Sequence, residues 1–99
     1  MSKRFYTDYT NHMLRYYVRN AEFIGITEID AENWGTCHCV YKQLSEEDKL
    51  IVFKVFNDRS ILLSGAVSTV SDELELKQSH IWQRINEISK MIATQRRLI

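Results

Sequence analysis

The 99-residue chain contains no proline, only three glycines and only two cysteines. Proline and glycine interrupt regular structure, so their scarcity favours helices, and the Leu, Lys, Glu and Gln residues do the same. Cys37 and Cys39 are separated by a single residue, so they predict no disulfide framework and suit a reducing compartment. We therefore expect an all-α fold, a compact domain of four to five helices.

Long apolar runs are also missing. No stretch approaches the roughly 20 apolar residues that are needed to cross a bilayer. The opening Met1-Ser2-Lys3-Arg4 is not followed by the apolar core of a signal peptide. We expect a cytoplasmic protein with no membrane segment.

The motifs of catalysis are absent too. The chain has no glycine-rich phosphate loop, no H-E-x-x-H helix and no nucleophile elbow, and it is short for a self-sufficient enzyme. The triplet Cys37-His38-Cys39 suggests a metal, but neighbouring helical residues point about 100° apart. Structural zinc takes four ligands, and only the distant His12 and His80 remain as further histidine donors. We expect no enzyme, no cofactor and no metal site.

Charge is balanced overall but unevenly distributed. The formal net charge is zero, with 13 basic and 13 acidic residues. Residues 1–20 and 77–99 are basic, whereas residues 21–58 and 59–76 are acidic. This asymmetry suits a DNA-facing surface with an acidic back, although solvated helices of other proteins also segregate charge.

The first 44 residues predict two helices. Tyrosines recur at helical intervals in residues 6–20, and this stripe either stacks on nucleic acid or, more commonly, packs at the core margin. Asn20 and Gly25 then break the pattern. A second helix should open at Asp30 or Ala31 and bury Trp34 beneath the first and third helices. One face of this helix carries an apolar set consisting of Trp34, Cys37, Val40, Tyr41 and Leu44.

A third helix should begin at Ser45, whose side chain can cap free backbone N–H groups ahead of three acidic residues. It should end near Asn57-Asp58 and lie mostly in the core, through Leu50, Ile51, Phe53, Val55 and Phe56. The segment between Asp58 and Ala66 is either a short helix or a connector.

The last third predicts a short helix over 67–76, a tight turn and a long helix over 78–97, opened by Gln78 or Ser79. Val70, Leu74 and Leu76 should hold the short helix in place. Apolar residues recur in the long helix at three- and four-residue steps, at Ile81, Ile85, Ile88 and Ile92.

This spacing over residues 44–98 resembles the helix-turn-helix of region 4 of bacterial sigma factors and of LuxR-type and phage regulators. The run Leu44-Ser45-Glu46-Glu47-Asp48-Lys49-Leu50-Ile51-Val52 looks like the preceding helix, and Ile81-Trp82-Gln83-Arg84-Ile85 looks like the start of the recognition helix. Glu75 stands at the turn position where glycine is usual, and Ser71 replaces the usual alanine. Glu75 must adopt a positive φ at some cost, or the turn must differ.

The resemblance implies a small transcriptional regulator of bacterial, plasmid or phage type that reads double-stranded DNA. Residues 1–99 would form one domain, with 1–44 as a supporting layer and 45–99 as the DNA-reading part. Phosphate contacts are expected from Lys77, Lys90, Arg96 and Arg97, and base contacts from Gln78, His80, Gln83 and Arg84. Arg84 lies at the flank of the isoleucine stripe, so it either reaches DNA or lies over the core.

A second hypothesis keeps the fold and changes the partner. The chain would be a helical interaction module that binds RNA polymerase or another regulator without reading DNA. Salt separates the two, since an affinity carried by several phosphate contacts falls steeply with salt concentration. A two-fold symmetric DNA site would further imply a homodimer.

Overall fold

The computed structural model of the protein describes residues 6–19, 27–58, 60 and 62–98. Within these ranges the chain forms five helices and no strand, which confirms the all-α prediction. In chain order the helices are α1 (Thr7–Arg19), α2 (Glu28–Gln43), α3 (Glu46–Asn57), α4 (Leu63–Leu74) and α5 (Gln78–Gln95). The break expected at Asn20 and Gly25 lies outside the described residues.

Side-chain caps determine where α2 and α3 begin. The Ser45 hydroxyl accepts a hydrogen bond from the backbone N–H of Asp48 at 3.2 Å, so the predicted start of α3 is confirmed. Thr27 caps α2 in the same way, accepting from the N–H of Asp30 at 3.1 Å. Because of this cap, α2 starts two residues before the predicted Asp30.

Of the segment between Asp58 and Ala66, the structure describes residues 58, 60 and 62–66, and Leu63–Ala66 belong to α4. The Asp58 carboxylate accepts hydrogen bonds from the hydroxyl and the backbone N–H of Ser60, and these bonds lower its pKa. Leu62 then precedes α4 without a side-chain cap. The short helix starts at Leu63, four residues before its predicted start, and ends at Leu74.

Glu75 takes the left-handed backbone conformation, with φ 55° and ψ 41°. Of the two alternatives for this turn, a positive φ at Glu75 or a different turn, the structure shows the first. The N–H groups of Glu75 and Leu76 both bond to the carbonyl of Ser71, and the Ser71 hydroxyl donates to the carbonyl of Leu76. These bonds to Ser71 offset the cost of a left-handed non-glycine residue. The connection between α4 and α5 is three residues long.

The core is built around α5, which packs against each of the other four helices. The predicted stripe is confirmed, because its four isoleucines are each at most 1% exposed. Burying one isoleucine fully contributes about 1.5–3 kcal/mol. The apolar residues packed around the stripe are Met13 and Leu14 of α1, Cys37 and Val40 of α2, Ile51, Val52, Val55 and Phe56 of α3, and Ala66, Val67 and Val70 of α4.

Two expectations about the core of α3 were wrong. Leu50 is 43% exposed and Phe53 is 49% exposed. The buried apolar residues of α3 are Ile51, Val52, Val55 and Phe56, which at 100° per residue span one side of the helix. Leu50 and Phe53 project from the other side, so α3 has a second, solvent-facing apolar surface.

The predicted anchor Trp34 is partly buried, but it does not belong to the buried core. Its ring stacks on His38, with centroids 4.9 Å apart, and lies 5.3 Å from the Tyr17 ring of α1. The tyrosine stripe of α1 lies at the core margin, as expected, with Tyr6 buried and Tyr17 packed against the core.

Cys37 and Cys39 should differ sharply in reactivity. Burial raises the pKa of the Cys37 thiol to about 12, whereas Cys39 is partly exposed. We expect one cysteine to react with a thiol reagent at pH 8 in the native protein and the second only after unfolding, because the thiolate is the reacting form. Reagent titration of wild type beside Cys39→Ser measures this, and a fast reaction of native Cys39→Ser would contradict it.

The same shift makes stability depend on pH. The folded pKa of Cys37 exceeds its ordinary value of 9.0, so the unfolded state loses its proton first. The contribution of the neutral Cys37 thiol to the free energy of unfolding is complete below pH 9 and is lost as the pH rises towards 12. The free energy of unfolding, measured in urea, should therefore fall less steeply above pH 9 in Cys37→Ala than in wild type.

Candidate nucleic-acid interface

The eight residues expected to contact DNA fall into two groups in the structure. Five are exposed: Lys77, Gln78, Gln83, Lys90 and Arg97. The other three, His80, Arg84 and Arg96, are bonded to acidic residues of α2 and α3.

The side of α5 opposite the isoleucine stripe is exposed along its length. We call it the outward face, and it consists of Ser79, Gln83, Asn86, Lys90 and Thr94. These residues recur at three- and four-residue steps, so they form one continuous ridge. Glutamine and asparagine amides can bond bidentately to adenine in the major groove. The outward face is thus polar and mostly uncharged, with one cation at Lys90.

Two more exposed residues lie at the N-terminal end of α5, beside the outward face. Lys77 precedes the helix and Gln78 is its first residue, as predicted. No side chain caps this end. The first backbone N–H groups of a helix point out of its end and carry partial positive charge, which favours anions nearby.

Arg84 forms a two-pronged ion pair with Asp48 across α3 and α5. Its Nε donates to Oδ1 at 3.0 Å and its Nη2 donates to Oδ2 at 2.9 Å. Asp48 is only 6% exposed, and its hydrogen bonds raise the pKa of Arg84. Arg84 therefore lies over the core, which is one of the two alternatives. The guanidinium that was expected to contact a base is bonded to the Asp48 carboxylate.

His80 is held in a similar way. Its Nε2 lies 2.8 Å from Oε1 of Glu47, the neighbour of Asp48 on α3. Together these two contacts fix the N-terminal half of α5 against the acidic first turn of α3. His80 can reach a base only by leaving Glu47.

Arg96 connects the end of α5 to α2. Its Nε donates to the side-chain oxygen of Asn33 at 3.0 Å, and its Nη2 lies 3.0 Å from Glu32. Asn33 in turn donates to the Tyr9 hydroxyl of α1. Arg97 is exposed but follows the helix in a left-handed conformation. A helix of 18 residues spans about 27 Å, so neither arginine is near the predicted base contacts.

The electrostatics of the interface are therefore mixed. Of the four predicted phosphate contacts, Arg96 is paired with Glu32, whereas Lys77, Lys90 and the distant Arg97 have no ion-pair partner among the described residues. Acidic side chains lie close by, with Glu87 on α5 itself and Glu75 in the preceding turn, both exposed. Few cations remain for phosphates, and hydrogen-bonding side chains dominate the outward face.

Sequence reasoning missed two kinds of residue. Ser79 and Asn86 belong to the outward face, and the helical period that placed Gln83 there also predicts them. The partners of the arginines, Asp48 and Glu32, lie 36 and 64 residues away along the chain and leave no local signal. A further unforeseen contact is the buried hydrogen bond between Thr10 and Ser89, which joins α1 to α5.

The residues considered for metal binding diverge. Cys37 is buried, the His38 ring stacks on Trp34, and Cys39 lies beside Gln43. No group of three or more His, Cys, Asp or Glu side chains in the described ranges could hold a metal ion. None of the described helices is long and apolar enough to span a bilayer.

Breaking the Arg84 pair should destabilise the fold. Arg84→Ala leaves a largely buried carboxylate without its guanidinium, and we expect the free energy of unfolding to fall by about 2–3 kcal/mol. Gln83→Ala, one residue away on the outward face, should stay within about 0.5 kcal/mol of wild type. Urea denaturation measures both. Adding Asp48→Asn to Arg84→Ala should restore part of the loss, and equal stability of the two single variants would contradict the assignment.

In comparisons with known proteins, no protein-family model, curated protein or solved structure matches the chain significantly.

Proposed function

We propose that the protein is a transcriptional regulator that reads double-stranded DNA with the outward face of α5. The observation that carries this proposal is the arrangement of α4, the three-residue turn and α5, which leaves a ridge of amide and hydroxyl side chains exposed. Gln78 and Gln83 would contact base edges, and Asn86 would extend the contact along the groove. The resemblance to sigma factor region 4 supports the same use of this helix.

Phosphate binding in this proposal comes from Lys77 and Lys90. Arg84 and Arg96 act as positioning residues, because their ion pairs hold the two ends of α5 against α3 and α2. His80 would join the base contacts only after releasing Glu47. Affinity would depend more on base contacts than on charge, and intrinsic DNA binding would be modest.

A second candidate function is binding of RNA polymerase or another regulator through this same face. The acidic residues near the N-terminal half of α5 favour it, because they repel phosphates. In that case the ridge would meet a protein surface and its amides would pair with side chains or backbone. DNA selection experiments separate the two candidates.

Selection from a random duplex pool at low salt should enrich a defined sequence. On that duplex, Gln83→Ala should cost about 1–3 kcal/mol of binding free energy and relax preference at one base pair, because a bidentate contact is lost. Fluorescence anisotropy with selected and scrambled duplexes measures this. Unchanged affinity for both Gln78→Ala and Gln83→Ala in folded protein, or no enrichment at all, would rule out the DNA proposal.

The salt dependence should be shallow. Two phosphate contacts correspond to a slope of about −1.8 in a plot of log affinity against log salt concentration, well below that of strongly basic binders. Lys90→Ala should reduce the magnitude of the slope by about 0.9 on every duplex. Lys42→Ala, which removes an exposed lysine of α2, is the charge-matched control and should leave it unchanged. A slope steeper than about −5 would show that further cations bind phosphate.

A further inference from the structure

A groove lined by aromatic rings lies where α1, α2 and α3 meet. We call it the aromatic groove; its volume is about 290 Å³, and it is lined by Tyr17, Val18, Trp34, His38, Tyr41 and Phe53. Small-molecule pockets usually enclose ~300–1,000 Å³. The groove is thus at the lower limit for a whole ligand and is suited to one large side chain of a peptide.

The walls of the groove are fixed by contacts between the rings. Tyr17 lies 5.3 Å from Trp34 and 5.6 Å from Tyr41, measured between ring centroids. The Tyr17 hydroxyl forms a 2.9 Å hydrogen bond with Nδ1 of His38. Desolvation, with smaller contributions from Tyr41 and Cys37, raises the pKa of Tyr17. A preformed aromatic wall binds an anchor side chain with little loss of conformational entropy.

The surface beside the groove is apolar as well. Phe53 is half exposed, and Leu50 lies one turn away on the same side of α3. Packing of the core does not require Leu50 and Phe53 to be apolar, because α3 already contributes four other apolar residues to the core. A contiguous exposed apolar surface next to a groove is typical of a protein interaction site.

Two cations, Lys49 and Arg19, lie near the groove. The Lys49 ammonium lies 5.7 Å from the centre of the Tyr41 ring. Its partner Glu46 is 3.7 Å away with a 95% exposed side chain, so this pair is weak. Arg19, next to Val18, is exposed and donates to a backbone carbonyl, that of Asp58. None of the residues that line the groove is acidic.

We propose that the aromatic groove docks an acidic peptide segment of another protein, which inserts one aromatic or leucine side chain beside Trp34 and Phe53. Carboxylates flanking this anchor would pair with Lys49 and Arg19. The proposal goes beyond DNA reading, because the groove shares no residue with the outward face of α5. Success or failure of one proposal therefore leaves the other untouched.

A random library of 12-residue displayed peptides, selected on the full chain with counter-selection on Phe53→Ala, tests this. We expect enriched peptides to combine one aromatic residue or leucine with several Asp or Glu residues. Enrichment of basic or purely polar peptides, or no enrichment that depends on Phe53, would overturn the proposal. Circular dichroism should first show that Phe53→Ala is folded, as its exposure predicts.

Fluorescence locates the bound peptide. In a Trp82→Phe background Trp34 is the only tryptophan, so a tryptophan-free enriched peptide should change its emission saturably. Lys49→Glu should weaken binding about tenfold, equivalent to ~1.4 kcal/mol, and Phe53→Ala should weaken it at least as much. Lys77→Glu makes the same charge change immediately before α5 and should leave peptide affinity unaltered.

Two results would reject an acidic peptide as the occupant. Equal weakening by Lys49→Glu and Lys77→Glu would show that only net charge matters. A concentration-dependent dimer in sedimentation that disappears in Phe53→Ala would show that a second copy of the chain covers the groove instead.

Discussion

Everything about this fold depends on the stripe of four isoleucines on α5. Because all four are buried and every other helix packs on α5, the stripe fixes the rotation of that helix about its axis. The outward face is what this rotation leaves exposed. A turn of even one residue, about 100°, would bury amides and expose isoleucine, at a cost of several kcal/mol.

Periodicity predicted the features for which one side of a helix is clearly apolar. It located α5 and its buried residues, and the serine and acidic residues located the start of α3. It failed on α3, where apolar residues occur on both sides and no pattern says which side faces the core. Leu50 and Phe53 were assigned to the core for that reason. Trp34 was expected in the core for a similar reason, although a large ring at a core spacing can also line a groove.

The candidate site was predictable in position but not in its charge pairing. Sequence placed Gln83 on the exposed side correctly, because that needs only the helical period. Whether Arg84 reaches outward depends on Asp48, which comes from another helix 36 residues away. The flank position of Arg84 allowed both outcomes, and only the packing of α3 on α5 decides between them.

The same ion pairs that orient α5 remove cations from its surface. Arg84 and Arg96 are bonded to carboxylates, and His80 to Glu47, so these contacts hold α5 in place and leave few unpaired cations along it. If α5 reads DNA as proposed, these ion pairs would position the helix precisely and would lower its nonspecific affinity for DNA. On the DNA proposal, the affinity of the chain alone would be modest, and a second contact at the DNA would add to it. A partner docked in the aromatic groove supplies that contact if that partner is itself held at the DNA, because tethering turns the second binding event into an intramolecular one and raises its effective concentration. No change of shape in the chain is required for this gain, since α2 and α5 can keep the same packing in both states.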